Sequence, residues 1–285
     1  MQVQALGVPV ERLGEGELVI HGGELREPAG ALDLVNAGDG HPPADRDLVG
    51  QPFPSVLDGS EQLRRRPMNR IINPLRQMGA EISGVNGCAP LTVEPAALRG
   101  IHYEMPVASA QVKSAILLAA LFAARRDRDH PAGPARDHTE RMLTAMGVDR
   151  TPRATRSRSC RASRFRRWIS PPGDASSAAF PVVAALIVPG SDITLTNINL
   201  NPTRTGLFDV LLEMGVDLTV TETGTEAGDP VGTIWARHSV LKGASVGGEV
   251  VVRMIDEFPD LHGGGVVRRR DDHRPRRAGA AGQGD

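Results

Sequence analysis

Cysteine is nearly absent: Cys88 and Cys160 are the two thiols in 285 residues, a spacing that fits no metal or redox pair and a number too small for a disulfide framework. The chain therefore reads as one made for a reducing cytoplasm. A stretch apolar enough to span a bilayer is missing too, and the opening MQVQALGVPVERLGEGELVI lacks the pattern of a signal peptide, so a soluble protein is expected. Net charge is absent in bulk, at −1, which points to no polyanionic partner. Nothing resembles a Gly-rich dinucleotide loop, a metal-ligand spacing or a nucleophile triad. What remains is 40% hydrophobic and 24% charged residues, a globular composition with length enough for one large domain or two ordinary ones.

The balance is not kept locally. RTPRATRSRSCRASRFRRWIS, from Arg150 to Ser170, carries eight arginines and no acid, and the tail RRRDDHRPRRAGAAGQGD from Arg268 has the same texture. Blocks of this kind are disordered or bind anions, which keeps nucleic acid open as a partner class. Against it, Phe165 and Trp168 are isolated rather than interleaved as base-stacking platforms, so no nucleic-acid partner is expected.

Three helix-like stretches end in one phrase: NPLRQMGAEI, ERMLTAMGVDR and DVLLEMGVDLTV. The methionines, Met78, Met146 and Met214, recur at an interval too wide for a solenoid and suited to a compact α/β unit. Leu75 and Met78 share a helix face, and Gly79 follows where a left-handed cap is wanted; Gly147 and Gly215 repeat the role. Asp174 predicts the start of a helix running to about Val188, with Pro181 either kinking it or being absorbed. SAQVKSAILLAALFAA reads as a buried helix, SDITLTNINL as a strand, and GEVVVRMI as strand-like. The sum is an α/β protein of similar modules.

Candidate chemistry gathers at helix starts, where free N–H groups and the helix dipole favour anions. Ser109, Gln111 and Lys113 open one helix, and Thr203, Arg204 and Thr205 precede another. Plain capping explains either segment taken alone. In LRRRPM the three arginines could be a solvated face, but Pro67 restricts the backbone of Arg66 and could aim its side chain inward. Asp256 and Glu257 suit a general base, and equally a helix cap with a first-turn acid.

As a set, GIHYEMPVASAQVKSAILLAALFA, RDHTERML, PGDASSAAF, LNPTRTGLFDVLLEMGVDL, RHSVLKG and RMIDEFP, in this order, resemble the 5-enolpyruvylshikimate-3-phosphate synthases (3-phosphoshikimate 1-carboxyvinyltransferases) over most of residues 1–261. The resemblance implies the two-domain enolpyruvyl transferase fold of repeated βαβαββ units, closing over substrates, with a first lobe at 1–171 and a second at 172–285. It implies transfer of the enolpyruvyl group of phosphoenolpyruvate to the 5-hydroxyl of shikimate 3-phosphate, in the shikimate pathway toward chorismate and the aromatic amino acids. No metal or organic cofactor is implied, and the partners are the two small substrates, with no membrane and a monomeric, cytoplasmic protein. By the same resemblance Ser109, Gln111 and Arg136 hold shikimate 3-phosphate, Arg66, Gly38 and Asn36 belong to the phosphoenolpyruvate site, and Asp256 takes the proton of the attacking hydroxyl. Glu257 is the lesser catalytic candidate, and Lys113 and Asp174 support the site from behind.

The chain also departs from the pattern. The family's opening Lys-Ser-x-x-x-Arg segment has no counterpart, and of its Asn-x-Gly-Thr-x-x-Arg loop only Asn36 and Gly38 persist, with Asp39 and Pro42 in place of the threonine and the arginine. Asp39–Arg46, written in GC-rich codons and read one base later, gives Thr-Ala-Ile-Arg-Leu-Leu-Thr, the missing phrase. Similar shifts recover family-like wording at Arg125–His130, at FRRWIS and from Arg268 onward. The sequence is thus expected to be a frame-damaged reading of a synthase gene, incomplete at both ends, with poor packing in the misread segments. Two alternatives to the transferase stand beside it: a non-catalytic remnant that still binds shikimate 3-phosphate, and a UDP-N-acetylglucosamine carboxyvinyl transferase, against which NPTRTGLFDVLLEMG and RDHTERML weigh.

Overall fold

Each of the three Met-Gly phrases ends a helix. In the computed structural model, which describes residues 2–15, 17–35, 48–107, 109–123, 135–148, 172–258 and 267–269, those helices stop at Gln77, Ala145 and Glu213, with Met78, Met146 and Met214 as last helical caps. Gly79, Gly147 and Gly215 then turn left-handed, at φ of 99°, 92° and 77°. The first two ends carry the full pair of capping bonds: Gly79 N to Arg76 O at 2.9 Å with Ala80 N to Leu75 O at 3.0 Å, and Gly147 N to Thr144 O at 3.0 Å with Val148 N to Leu143 O at 2.9 Å. These bonds satisfy carbonyls that the helix leaves orphaned, and only a residue without Cβ reaches the geometry freely.

The chain divides into two units, Met1–Trp168 and Ile169–Asp285. The first contains α1 (Gln2–Ala5), the hairpin β1 (Val10–Gly14) and β2 (Glu17–Ile20), then β3 (Leu32–Asp33), β4 (Ser55–Asp58), α2 (Glu61–Arg64), α3 (Asn69–Gln77), β5 (Glu81–Gly84), β6 (Leu91–Glu94), α4 (Ala110–Ala119) and α5 (His138–Ala145). Its sheet runs β3-β4-β6-β5, with β3 parallel to β4 and the other pairs antiparallel. The second contains α6 (Ala175–Ile187), β7 (Asp192–Asn199), α7 (Gly206–Glu213), β8 (Asp217–Glu226), β9 (Asp229–Arg237), β10 (Ala244–Val246), α8 (Glu249–Arg253) and β11 (Val267–Arg269). Its main sheet is β7-β9-β8, and Gly173 adds a parallel bridge to Ile198 on β7. Counting that bridge as a strand, both units show one wiring: a parallel pair, then an antiparallel pair entered after a helix. The duplication seen in the helix endings is therefore a duplication of topology.

Each unit buries its own core. On α3 the side chains of Ile71, Ile72 and Leu75 face inward with Met78 behind them, against Leu57, Leu91 and Val93 of the sheet. Burying each such side chain contributes roughly 1.5–3 kcal/mol before chain ordering is charged against it. The helix α4, apolar nearly all round, packs between α3 and α5. In the second unit α6 runs unbroken through Pro181, so the chain absorbs the proline, and its buried Ala178, Ala179, Val182, Val183 and Leu186 meet Ile234 and Ala236 of β9.

One expectation fails here. GEVVVRMI is not a strand: Glu249–Arg253 is the helix α8. Three valines in a row favour a pleated surface, but that preference is weak beside tertiary packing. Arg253 fastens α8 to the start of α7, donating to Pro202 O at 2.5 Å, Thr205 Oγ1 at 3.1 Å and Asp209 Oδ2 at 2.7 Å. Gly206 permits the approach, since a Cβ there would lie 2.9 Å from Arg253 Cβ and 3.1 Å from Val250 O.

Candidate active site

In the first unit the site is built at the start of α4. Ser109 caps that helix, its Oγ accepting from Val112 N at 3.4 Å, which leaves Ala110 and Gln111 as the first helical residues. One turn on, Lys113 points inward. Its Nζ lies 2.7 Å from Glu140 Oε1 on α5 and donates to Ala135 O at 3.0 Å; the two side chains are 3% and 6% exposed. Beside this pair Ser114 Oγ and Thr139 Oγ1 share a hydrogen bond of 2.7 Å. Arg136, half-buried, follows Ala135 directly, so its backbone is held from one side by Lys113 and from the other by α5. The start of α4 presents N–H groups and a positive dipole end, and Arg136 adds a guanidinium on an element fastened to it. This is the chemistry of an anion site.

Arg66 lies in the loop after α2. Its neighbours are engaged, Arg64 with Asp58 at 2.6 Å and Arg65 with Glu61, while Arg66 is half-buried and makes no ion pair with any described residue. The Arg64 guanidinium holds the Asp58 carboxyl below the usual aspartate range, chiefly by its hydrogen bond.

In the second unit carboxylates gather around one guanidinium. Asp174 caps α6, accepting from Ser177 N at 2.9 Å through Oδ2, and its Oδ1 accepts from Arg204 Nη2 at 3.0 Å. The same guanidinium stands 4.0 Å from Asp256 Oδ2 and 3.9 Å from Glu257 Oε1, and it donates to Ser176 Oγ, which in turn donates to Glu257 Oε1. Asp256 and Glu257, adjacent in sequence, occupy opposite environments. Asp256 is exposed, whereas Glu257 is 1% exposed and its Oε2 has no hydrogen-bond partner among the described residues. Both sit in the turn after α8, with Glu257 directly before the helical residue Phe258. The loop bearing Arg204 is itself fixed by Asn201, fully buried, whose Oδ1 accepts from Thr203 N at 2.8 Å and whose Nδ2 donates to Asp229 Oδ1 at 2.7 Å. The arrangement displays one ionisable carboxylate to solvent on a turn held by a buried ionic network, a geometry suited to a general base.

Of the expected site residues, Arg66, Ser109, Gln111 and Arg136 belong to the first unit, and Asp256 and Glu257, adjacent on one turn, belong to the second. Asn36, Gly38, Asp39 and Pro42 lie outside the described residues, as do the arginine block at 150–170 and the tail beyond Arg269. Sequence reasoning missed Arg204 as the centre of the carboxylate cluster, and Ser176, Asn201 and the Lys113–Glu140 pair. Their only signals were a cation in a Pro-Thr-Arg-Thr turn and a lone lysine in an apolar helix. Among the described residues no group of three His, Cys, Asp or Glu side chains could hold a metal ion, and no helix is long and apolar enough to cross a membrane.

Comparison with known proteins gives a consistent result. Residues 2–262 match the family model described as EPSP synthase (3-phosphoshikimate 1-carboxyvinyltransferase). The chain is 46% identical over 266 residues to the 3-phosphoshikimate 1-carboxyvinyltransferase of Citrifermentans bemidjiense, covering 90% of this chain and 61% of that protein. It is 45% identical over 260 residues to the enzyme of that name from Geobacillus kaustophilus, covering 89% and 61%. Among solved structures it resembles EPSP synthase from Acinetobacter baumannii, at 40% identity and a TM-score of 0.75 over 90% of this chain and 60% of that one. The enolpyruvyl transferase NikO from Streptomyces tendae shares the fold, at 16% identity and a TM-score of 0.57, covering 94% of this chain and 65% of that one. The chain spans about three fifths of the length of the curated relatives it matches.

Proposed function

The chain belongs to the EPSP synthase (3-phosphoshikimate 1-carboxyvinyltransferase) family, and from that premise we propose that it serves transfer of the enolpyruvyl group of phosphoenolpyruvate to the 5-hydroxyl of shikimate 3-phosphate. The 5-oxygen adds to C2 of phosphoenolpyruvate while C3 gains a proton; the tetrahedral intermediate then loses phosphate from C2 and a proton from C3. Asp256 takes the hydroxyl proton in the first step. Ser109, Gln111 and Arg136 hold the acceptor's anionic groups, and Arg66, with Asn36 and Gly38, serves phosphoenolpyruvate. Glu257 is buried against Ser176 and anchors the turn that displays Asp256. Both substrates are anions, so oriented N–H donors and guanidinium groups fixed before the reaction favour the charge that develops in it. The observation that carries this reading is that the residues matched by the family, 2–262, include both groups.

The loop substitutions Asp39 and Pro42 favour a second reading, in which shikimate 3-phosphate binds without turnover. An acid where the family places threonine repels a phosphate, and a proline cannot replace a guanidinium. Calorimetry with shikimate 3-phosphate, paired with an assay of phosphate release on adding phosphoenolpyruvate, separates the two. Binding with release supports the transferase, binding alone supports the remnant, and a chain that binds UDP-N-acetylglucosamine instead refutes both. The same reading takes the protein as a cytoplasmic monomer, and sedimentation of the full chain as a dimer would contradict the monomer.

A further inference from the structure

Only two of the 33 basic residues are lysines, Lys113 and Lys242. Lys242 is exposed; Lys113 is buried and held by Glu140 Oε1 at 2.7 Å and Ala135 O at 3.0 Å. A buried ammonium–carboxylate pair is a poor device for stability alone, because both ions lose their hydration and well-packed hydrocarbon of similar volume would serve as well or better. Here the disadvantage is greater, since Glu140 Oε2 is buried with no hydrogen-bond partner among the described residues. The pair does not supply charge to a ligand either: ammonium and carboxylate cancel at contact distance.

What it does supply is register. Lys113 lies one helical turn from Ser109, whose carbonyl accepts from Lys113 N at 3.1 Å. Its Nζ grips the carbonyl of Ala135, the residue before Arg136, and its counter-ion Glu140 lies one turn beyond Arg136 on α5. One side chain therefore ties the start of α4 to the backbone on both sides of Arg136. We propose that Lys113 is a positioning residue for the anion site, setting Arg136 against Ser109 and Gln111 so that one phosphate-bearing ligand meets all three. The proposal rests on the reading above that shikimate 3-phosphate is bound by those residues.

The test uses the full chain and calorimetric titration with shikimate 3-phosphate. Lys113→Met with Glu140→Leu removes both ions at similar volume and leaves the net charge unchanged. This double variant is expected to fold and to bind at least about tenfold more weakly, the scale of one misplaced charge-assisted hydrogen bond. Its dependence of affinity on salt is expected to stay that of the parent, because position and not charge has been lost. Equal affinity in the folded double variant overturns the proposal and leaves the ligand assignment standing. Absence of binding by the parent chain overturns the ligand assignment and the proposal with it. A second measurement needs no variant of the pair. With 15N-labelled lysine, the Nζ resonance of Lys113, told from that of Lys242 by Lys242→Arg, is expected to shift as shikimate 3-phosphate saturates the chain. A resonance that stays fixed while ligand binds marks a merely structural pair and overturns the proposal.

Discussion

Arg204 is the side chain whose removal should cost the second unit most. Replacing it with methionine keeps much of its bulk and deletes the cation between Asp174, Ser176, Asp256 and Glu257. The pairs with Asp174 and Asp256 contribute little, since those side chains are 53% and 50% exposed and a solvated pair is worth about 0–1 kcal/mol. Glu257 decides the magnitude. Its side chain is 2% exposed, and without the guanidinium it becomes a buried carboxylate held by Ser176 alone, a loss of about 3–5 kcal/mol. In a unit of this size that corresponds to a fall of roughly 10 °C or more in melting temperature. Urea denaturation followed by tryptophan fluorescence measures it, and since the chain has two tryptophans, a Trp168→Phe background leaves Trp235 on β9 as the sole reporter of the second unit. Adding Glu257→Gln to Arg204→Met removes the stranded charge and should recover about 2 kcal/mol, a coupling the double-mutant cycle reads directly. A loss below about 1 kcal/mol for Arg204→Met, with no coupling to Glu257, would refute the view that this guanidinium holds the turn bearing Asp256.

The Asp58–Arg64 pair sets an acid limb. Asp58 is held below its ordinary range by Arg64, so its contribution is present above the unfolded value of about 4 and fades as pH falls through the lower folded value. Urea midpoints of Asp58→Asn should therefore lie below those of the parent at neutral pH and converge with them in acid; a constant gap would contradict the assignment. The two complete helix caps should separate steric from conformational cost. Gly79→Ala meets both a left-handed φ and Ala97 O at 2.9 Å from the new Cβ, while Gly147→Ala meets no atom of the described residues within 4 Å. Both variants lose about 1–2 kcal/mol for the left-handed backbone, and Gly79→Ala should lose at least about 1 kcal/mol more in thermal melts.

The helix endings were legible in the sequence because their physics is local: a left-handed cap needs glycine within one residue of the last turn, and Met-Gly stated it three times. Asp174 was legible for the same reason, since a cap and the N–H it accepts from are three residues apart. The short helix α8 was not, because what makes it a helix is Arg253 reaching back 51 residues to Pro202 O and the space Gly206 leaves. Nor was the centre of the carboxylate cluster, where Ser176 meets Glu257 across 81 positions. Asp256 and Glu257 look interchangeable as neighbours in a string; burial gives them different environments, and burial is a property of the fold. Lys113 was legible as a cation at a helix start and as a support behind the site, but what it grips was not, because Glu140 arrives on a second helix.

The most direct measurement is an amide chemical-shift map of the full chain titrated with shikimate 3-phosphate. Binding by the groups named here moves the amides of residues 109–113 at the start of α4 together with those of 135–140 around Arg136, at a common affinity. Shifts confined to other residues, or none at saturating ligand, would contradict the assignment of that anion to Ser109, Gln111 and Arg136.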